Sequence, residues 1–427
     1  MLLIPGFDAI DLAWENEGFA EGGFGRAGYE RSEQTRAMIK VVVEVTPVLP
    51  KPSGVGLYVL NLLAALQPLQ EPEGFELGLA YQPSLKNWLR GNLAVPEVLA
   101  HYDNIAVLPL PVRLLNRLAQ LPGRPLMARL EQRFGQPDIY HGTNYAVYPC
   151  RHSRRIISIY DLSFMRYPNY VTAVVRTYTQ RVKQCLAWTD LVITISESSK
   201  RDIVELLGVP PEKVWVTPLA SRYASDTQGG ERVLKPLDLG DSPGDLFRNR
   251  PYILFVSTLE PRKNVVRLIQ AFDLLKSEHR VDHQLLLVGQ KGWQYESIFE
   301  AIAASPWQHH IRHLDYLSDA EVAYCYAQAD VFAYPSLYEG FGLPVLEAMM
   351  LGCPVVTANT SSLPEVAGEA ALMVDPTSVE ALAEALWQVI SDRGQRQAMI
   401  TKGYQQAATF SWNRTAKSTL AAYRSLL

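Results

Sequence analysis

The sequence predicts an α/β protein with two doubly wound parallel-sheet, Rossmann-like domains that face each other across a cleft. Short β-branched runs alternate with longer amphipathic runs, which is typical of parallel sheets wrapped by helices. The short runs form two successive sets, separated by a glycine-containing stretch without clear periodicity. The chain has 427 residues, of which 48% are hydrophobic. Because single cores stop growing near ~250 to 300 residues, this length indicates two domains.

The predicted strands are short apolar runs along both halves of the chain. The first set spans residues 39–45, 76–81, 104–110, 139–143, 155–161, 191–196 and 214–219, and the second spans 252–258, 283–289, 311–316, 331–336, 354–359 and 371–375. We therefore predict an N-terminal domain over residues 38–222, a linker over 223–250 and a C-terminal domain over 251–410. The cleft should open beside the linker.

The two ends of the chain differ from the domains. Residues 1–37 lack a basic region followed by an apolar core, so they do not resemble a signal peptide. We predict either a disordered extension or a start codon placed upstream of the functional one at Met38. Residues 411–427 begin with a serine cap and keep an apolar stripe, which predicts a terminal helix.

Composition excludes several classes of protein. A formal net charge of −4 and a pI near 6.1 do not indicate a nucleic-acid-binding protein, and no apolar run reaches the ~20 residues of a membrane helix. The four cysteines, Cys150, Cys185, Cys325 and Cys353, have neither zinc-site spacing nor the density of a disulfide framework. These features predict a soluble protein of the reducing cytoplasm.

The segment 338–347 carries the strongest chemical signal. Glu339 and Glu347 flank a glycine-rich turn between a buried strand and a helix, which places the turn at the carboxyl edge of a sheet. Amides at the start of that helix can hold phosphates, and Glu347 can accept both hydrogens of a ribose diol. Glu339 can reach a sugar instead. The predicted phosphate-side residues are Gly340, Phe341, Gly342 and Leu343.

This segment, together with its flanks at 348–356 and 361–368, resembles the donor site of retaining glycosyltransferases of the group 1, glycogen-synthase-like type. A pair of glutamates alone is compatible with a solvated glutamate beside a capped helix, but the flanks favour the family. The resemblance implies the GT-B fold, with a C-terminal helix that crosses back to the first domain. It also implies a nucleoside diphosphate sugar as donor.

A second cluster follows the first strand of the C-terminal domain. Residues 259–264 include Arg262 and Lys263, two cations suited to a diphosphate leaving group. The run is similar to a subgroup of the family. Elsewhere in the family the arginine lies upstream, where this chain has Ser257 and Thr258, so the lysine role transfers to Lys263 more directly than the arginine role to Arg262. A solvated helix turn is the alternative.

Three N-terminal segments match the family in position. Residues 52–58 lack both a dinucleotide fingerprint and a P-loop, so they do not support an NAD or ATP enzyme, but they resemble the loop that implies donor contacts for Gly54 and Gly56. The others contain His141 and the pair Tyr160-Asp161. Relatives usually have a histidine at the position of Tyr160, and a phenol with a pKa near ~10 cannot supply an imidazolium charge. His141 either substitutes for it or is structural.

Other features carry weaker predictions. The segment 112–134 combines arginines with leucines, which predicts either a solvated helix pair or a surface for anionic lipid or a phosphate-bearing acceptor. The resulting location is cytoplasmic, with possible peripheral contact at the inner face of the plasma membrane. His309, His310 and His313 lack matching carboxylates, so we predict no metal and no cofactor besides the donor co-substrate.

The resemblance implies a retaining transferase that moves a hexose, such as mannose or glucose, to a saccharide or lipid-linked saccharide hydroxyl. In that role Glu339, Lys263, Arg262, Asp161 and Tyr160 are the predicted catalytic residues. Three alternatives stay open: a nucleotide-sugar epimerase or hydrolase with the same fold, a catalytically silent scaffold, and a Rossmann oxidoreductase. The sequence leaves the base, sugar, acceptor and oligomeric state open.

Overall fold

A computed structural model describes residues 38–49, 54–108, 125–223 and 250–427. The predicted extension at 1–37, residues 52 and 53 of the first loop, positions 112–124 of the basic segment and the linker residues 224–249 lie outside the described residues. Two parallel sheets organise the rest, one in each half of the chain.

The strands follow the predicted order. The first sheet contains β1 Ile39–Glu44, β2 Phe75–Tyr81, β3 Ile105–Val107, β4 Ile139–Gly142, β5 Arg154–Ser158, β6 Leu191–Thr194 and β7 Val214–Val216. The second contains β8 Tyr252–Val256, β9 Gln284–Val288, β10 Ile311–Leu314, β11 Val331–Tyr334, β12 Val355–Ala358 and β13 Ala371–Val374. Every predicted strand occurs, usually one to three residues shorter because the predicted runs included the buried loop residues that leave the sheet.

Helices cover the faces of both sheets. In the described part of the chain they are α1 Val55–Leu66, α2 Gln70–Glu73, α3 Leu85–Leu89, α4 Pro125–Arg133, α5 Ser163–Arg166, α6 Ala173–Arg176, α7 Tyr178–Leu186, α8 Glu197–Leu207, α9 Val265–His279, α10 Glu296–Ala304, α11 Asp319–Gln328, α12 Leu343–Met350, α13 Leu363–Ala367, α14 Val379–Ser391, α15 Arg393–Ala408 and α16 Trp412–Arg424. Short 3₁₀ turns occupy Gln67–Leu69, Glu97–Leu99, Pro168–Tyr170, Pro211–Lys213, Pro261–Lys263 and Gln308–His310.

The central strands are apolar on both faces, as expected where helices cover a parallel sheet on either side. In β9, for example, all five residues are buried. The buried faces of the strands and helices form the hydrophobic core of the molecule.

In both sheets the order of the strands reverses at one point. The strand order is β3-β2-β1-β4-β5-β6-β7 in the first sheet and β10-β9-β8-β11-β12-β13 in the second. The order therefore reverses between β1 and β4, and again between β8 and β11. Open parallel sheets bind ligands at the carboxyl ends of strands beside such a reversal. Two such edges face one cleft here, because residues from both halves line the same cavity.

The final helix, α16, packs on the N-terminal half. Its Ser411 cap accepts from the amide of Arg414 at 3.2 Å. The Thr415 hydroxyl donates to the Pro218 carbonyl at 2.6 Å, and the indole of Trp215 donates to Ser418 at 3.2 Å. These contacts tie the end of the chain to the first sheet.

The described part of the basic segment contains one acidic residue, Glu131, whose environment differs from that of its arginines. Arg129 and Arg133 are exposed, but Glu131 is buried. Its carboxylate accepts from the amides of Arg151 and His152, both at 2.9 Å. Burial opposes ionisation of Glu131, yet these amides and Ser153 outweigh it and lower the pKa. Glu131 is therefore a structural anchor and does not belong to the basic surface.

Candidate active site

A cleft of about 510 Å³ lies between the two sheets. It is lined by residues from loops at the carboxyl edges of both. Most of the predicted site residues line it: Gly54, Tyr160, Asp161, Lys263, Glu339, Gly340, Phe341, Gly342, Leu343 and Glu347. The structure thus brings together predicted residues up to 293 positions apart in the sequence, from residue 54 to residue 347.

Glu339 and Lys263 form the centre of the C-terminal wall. Glu339 follows β11, and Lys263 ends the turn after β8, so neighbouring strands present both side chains at one edge. Lys263 Nζ lies 2.6 Å from Glu339 Oε1. The Tyr334 hydroxyl accepts from Lys263 Nζ and donates to Glu339 Oε1, each at 2.9 Å. All three residues are buried, so the cluster is held in one geometry.

Arg262 contacts Glu339 from outside the cleft lining. Its guanidinium contacts Glu339 Oε2 at 3.0 Å, Glu260 Oε1 at 2.7 Å and the Tyr338 carbonyl at 2.6 Å. Arg262 is absent from the described residues that line the cleft. Three protein oxygens already accept hydrogen bonds from Arg262, so this structure directs its guanidinium to Glu339 and Glu260 and not into the cleft, where the predicted grip on a diphosphate would lie.

The charges of this cluster fix its ionisation. Burial disfavours the ionised form of Glu339, but Lys263 and Arg262 outweigh burial and lower its pKa to about 2. For Lys263, burial and Arg262 oppose the charged form, whereas Glu339 favours it, and the pKa is raised. At neutral pH the cluster is thus a carboxylate with two cations.

The turn between Glu339 and α12 brings backbone close to the cleft. Gly342, the N-cap of α12, has φ 114, a conformation that side chains rarely adopt. The first intrahelical bonds run from the amides of Val345 and Leu346 to the Gly342 carbonyl, at 3.0 and 3.3 Å. The amides of residues 341–343 precede those bonds and lie at the positive end of the helix.

Glu347 lies one turn into α12, on the same wall. Arg222 approaches it from the N-terminal half, with Nε 3.0 Å from Oε1 and Nη2 3.4 Å from Oε2. Burial raises the pKa of Glu347 to about 7, although Arg222 acts in the opposite direction. Small changes around Glu347 therefore alter the fraction of the carboxyl that is ionised at neutral pH.

The N-terminal wall carries Tyr160 and Asp161. The Tyr160 hydroxyl donates to the Thr143 carbonyl, so its proton is engaged within the protein. Asp161 Oδ1 accepts from the Ser163 amide at 3.0 Å and from the Ser163 hydroxyl at 2.8 Å. The ring of Tyr160 and the Asp161 side chain nevertheless form part of the cleft surface.

Two predicted donor contacts lie elsewhere. His141 is fully buried, and its ring nitrogens contact the hydroxyls of Ser158 and Tyr423, both at 2.8 Å. Burial lowers its pKa to about 3, so the ring is neutral. Of the two alternatives for His141, the structure therefore favours the structural one, in which the ring joins the last helix to the first sheet. Gly56 is buried within the first turn of α1, and Gly54 alone of the two reaches the cleft.

Comparison with known proteins identifies the family. The family model "Glycosyl transferases group 1" matches residues 242–406, and the model "Glycosyltransferase Family 4" matches residues 52–220. The chain is 32% identical over 397 residues to O-antigen chain mannosyltransferase B of Escherichia coli, covering 91% of this chain and 100% of that protein. The chain belongs to the group 1 glycosyltransferases.

Further similarities agree with the fold of this glycosyltransferase. An MMP alpha-(1->4)-mannosyltransferase of Mycolicibacterium hassiacum is 32% identical over 236 residues, which cover 54% of this chain and 53% of that protein. Sucrose-phosphate synthase of Thermosynechococcus elongatus superposes with a TM-score of 0.64 at 18% identity, covering 91% of this chain and 99% of that one. Anabaena HepE in complex with UDP and glucose superposes with a TM-score of 0.63 at 16% identity, covering 91% of this chain and 100% of that one. The two sheets therefore form a GT-B fold.

Several cleft residues of this group 1 glycosyltransferase were not predicted. Arg222 lies just before the predicted linker and carries no motif, so only the folded chain places it against Glu347. Tyr334 was assigned to a buried strand, although a tyrosine at a strand's carboxyl end was a usable signal for a polar role. Trp412, the first residue of α16, also lines the cleft.

Two absences concern only the described ranges. Across them, no helix of this glycosyltransferase is both long and apolar enough to cross a bilayer. Within the same ranges, no three His, Cys, Asp or Glu side chains are grouped in a way that could hold a metal ion.

Proposed function

We propose that this glycosyltransferase moves a hexose from a nucleoside diphosphate sugar to a hydroxyl of a saccharide or lipid-linked saccharide, with retention at the anomeric carbon. One observation carries the proposal. A single cleft holds a buried carboxylate–lysine pair, Glu339–Lys263, and a second carboxylate, Glu347, on either side of a glycine turn that begins a helix.

The donor fits this arrangement from its nucleotide end. The carboxylate of Glu347 offers the acceptor oxygens that a ribose diol needs. The amides of residues 341–343 lie at the start of α12, where a helix favours phosphate. In this arrangement the ribose lies at Glu347, the diphosphate lies at the amides of residues 341–343, and the sugar lies at Glu339.

Lys263 would assist departure of the nucleoside diphosphate. Cleavage of the anomeric bond places negative charge on the leaving diphosphate, and a preorganised cation in a buried site stabilises such charge strongly. Lys263 Nζ is buried and fixed by Glu339 and Tyr334, so little reorganisation is needed. We expect Lys263→Ala to lower kcat by ~10²-fold or more.

The test of Lys263 compares kcat with thermal stability. Lys263→Ala also leaves Glu339 with one cation fewer, so unfolding midpoints of both proteins must accompany the turnover numbers. Lys402→Ala, on the exposed side of α15, is the matched control. A Lys263→Ala protein that folds and turns over at near-normal kcat would remove the role.

Glu339 would orient sugar hydroxyls. Its carboxylate already accepts from Lys263, Tyr334 and Arg262, which suits a fixed hydrogen-bond acceptor better than a free nucleophile. Retention would then follow from entry of the acceptor on the face that the leaving group vacates. NMR of the product glycoside tests this directly, since an inverted anomeric configuration contradicts it.

The sugar is proposed to be mannose. The relative that the chain matches along its whole length is a mannosyltransferase by name, and a second relative that matches over half of the chain is also one. Its acceptor is by analogy a growing saccharide. A donor screen with GDP-mannose, UDP-glucose and ADP-glucose distinguishes the candidates.

A silent scaffold is the second candidate, and Tyr160 favours it. The tyrosine stands where relatives usually have a histidine, and its hydroxyl is bound to the Thr143 carbonyl. Thermal unfolding with saturating UDP, GDP and ADP separates the readings when combined with turnover. A ligand at 100 times its Kd adds ~2.7 kcal/mol of stability. Stabilisation of the intact protein, but not of Glu347→Ala, supports the donor site. Binding without transfer supports the scaffold, and sugar release without acceptor supports a hydrolase.

A further inference from the structure

Arg222 forms an ion pair with Glu347 across the cleft. It follows β7 of the first sheet, whereas Glu347 lies on α12 of the second half. The Arg222 guanidinium contacts both oxygens of Glu347, and its Nη1 lies 2.8 Å from Asp319 Oδ1. Side-chain exposure is 30% for Arg222 and 7% for Glu347, so the arginine lies at the mouth and the carboxylate lies within.

The environment of Glu347 contains few charges, and they oppose each other. Arg222 is the cation, and Asp319 at the start of α11 is a second anion. Two phenols also face the carboxylate, Tyr326 from α11 and Tyr223 from the segment after β7. Burial and Asp319 both favour a protonated Glu347, whereas Arg222 and, to a smaller extent, the Tyr326 hydroxyl favour the ionised form. Removal of Arg222 would therefore raise the pKa of the carboxyl further and favour its neutral form.

A neutral carboxyl is a poor partner for a diol. An ionised carboxylate has about four lone-pair sites and only accepts, whereas a protonated one loses acceptor capacity and gains a donor. Two hydroxyls of a ribose need two acceptor sites at fixed positions. The contact from Arg222 uses one lone pair on each oxygen, and Glu347 still lines the cleft, so lone pairs remain for a ligand.

We propose that Arg222 is a positioning residue for the donor, which orients Glu347 and favours its carboxylate form so that its remaining lone pairs accept both ribose hydroxyls. This role rests on the proposed function of Glu347 as the ribose site. It also means that the N-terminal half contributes to nucleotide affinity indirectly, because its Arg222 acts on Glu347 of the C-terminal half. Nucleotide binding would therefore require the closed arrangement of the two halves.

The experiment measures the Kd of GDP and of UDP by calorimetry between pH 6.5 and 9 at constant ionic strength. The proteins are the intact chain, Arg222→Gln, Arg222→Lys and Glu347→Gln. Arg155→Gln is the matched control, because Arg155 makes a similar two-contact pair with Asp190 at 2.8 and 2.9 Å outside the cleft. The phosphates of the ligand titrate near pH ~6, and Glu347→Gln shares that effect, so each Kd is expressed relative to Glu347→Gln.

We expect Arg222→Gln to bind at least tenfold more weakly than the intact chain at pH 7 and to recover towards it at pH 9, where Glu347 ionises unaided. Arg222→Lys should fall between them, since a lysine keeps the charge but loses the two-point fork. Glu347→Gln should bind weakly at every pH, and Arg155→Gln should bind normally.

Three results separate the possible failures. If Arg222→Gln binds as the intact chain does at every pH, the proposal is overturned. If it binds more weakly by one constant factor across the range, Arg222 is merely structural and the proposal is again overturned. If Glu347→Gln retains normal affinity, the ribose role of Glu347 fails first, and with it that part of the proposed function. Unfolding midpoints of all five proteins establish whether each is folded. If Arg222→Gln does not fold, Arg222→Lys serves for the comparison with the intact chain.

Discussion

Glu339 is the residue on which the charge balance of the cleft depends. Its carboxylate is buried between Lys263 and Arg262. Glu339→Gln would leave two buried cations with Glu260 as the remaining carboxylate on Arg262. Because removing one partner of a buried pair leaves the other charge buried and uncompensated, we expect the free energy of unfolding at pH 7 to fall by about 3 to 5 kcal/mol. Urea denaturation measures it.

The same variant has a defined pH dependence. The pKa of Glu339 is lowered to about 2, so its contribution is complete above the unfolded value near ~4.3 and is lost as the pH falls towards 2. The stability gap between the intact chain and Glu339→Gln should therefore narrow from pH 5 downwards. Glu369→Gln, at an exposed position, should stay within about 0.5 kcal/mol. A gap that is constant with pH would contradict this assignment.

Glu347 should show the opposite sign. Its pKa is raised to about 7, so the folded state binds more protons than the unfolded state between roughly pH 4.5 and 7. The contribution of Glu347 to stability is present below that range and is lost as the pH rises through it. At about 1.4 kcal/mol per pKa unit, Glu347→Gln should gain about 2 kcal/mol on the intact chain between pH 5 and pH 8. Parallel urea titrations at the two pH values test this, and an unchanged difference would refute it.

At the scale of elements, the turn before α12 is one place where the two halves touch. A Cβ added at Gly340 would lie 2.8 Å from the Tyr160 carbonyl oxygen and 2.9 Å from Asp161 Cβ. The Ser199 hydroxyl bridges the same place, donating to the Tyr160 carbonyl at 2.8 Å and contacting the Gly340 carbonyl at 3.3 Å. An added methyl group must therefore push the domains apart or displace the turn.

We expect Gly340→Ala to lower kcat/KM at least tenfold, since small misplacements of reacting groups reduce rates strongly. The global unfolding midpoint should change little, because each domain keeps its own core. Gly394→Ala is the control: a Cβ there meets only Asp392 Oδ1, at 3.2 Å, and lies on the exposed start of α15. Normal kinetics for Gly340→Ala would show that the close approach is not needed for turnover.

The elements themselves could be predicted because their signals are local. Runs such as residues 285–288 are buried on both faces, so their sequence is apolar without interruption, and the strands occur where such runs occur. The loop after β11 was predictable for the same reason, since a strand, a glycine turn and a helix follow one another directly. The strand order then places that loop beside the loop after β8.

The unpredicted features depend on partners far away in the chain. His141 resembles a cleft residue in sequence, but Tyr423 contacts its ring from 282 positions further on. Arg222 borders a stretch without periodicity, yet it pairs with a glutamate 125 positions away. Arg262 and Lys263 are adjacent in sequence and both contact Glu339, and only the folded chain shows that Lys263 alone of the two lines the cleft. Local patterns contain no information on such pairings.

At the scale of the whole molecule, the two halves are joined by polar contacts around α8. The Tyr338 hydroxyl, from the C-terminal half, donates to Asp202 Oδ2 at 2.6 Å. Glu365 of α13 accepts from the amides of Glu197 and Ser198, at 2.8 and 2.6 Å. A carboxylate of one domain thus satisfies the first amides of a helix in the other, at the end where the helix dipole favours an anion.

This contact should stabilise the closed arrangement. Glu365→Ala removes the acceptor of two amides without touching the cleft lining, so we expect a more open molecule. Small-angle X-ray scattering of Glu365→Ala should give a larger radius of gyration than that of the intact chain, and saturating donor should reduce the difference. Donor Kd should rise, because part of the binding energy must then close the domains. Glu369→Ala, four positions on and exposed, should behave as the intact chain does. A Glu365→Ala protein with unchanged radius and unchanged Kd would mean that Tyr338, Asp202 and the Gly340 contact hold the halves together without it.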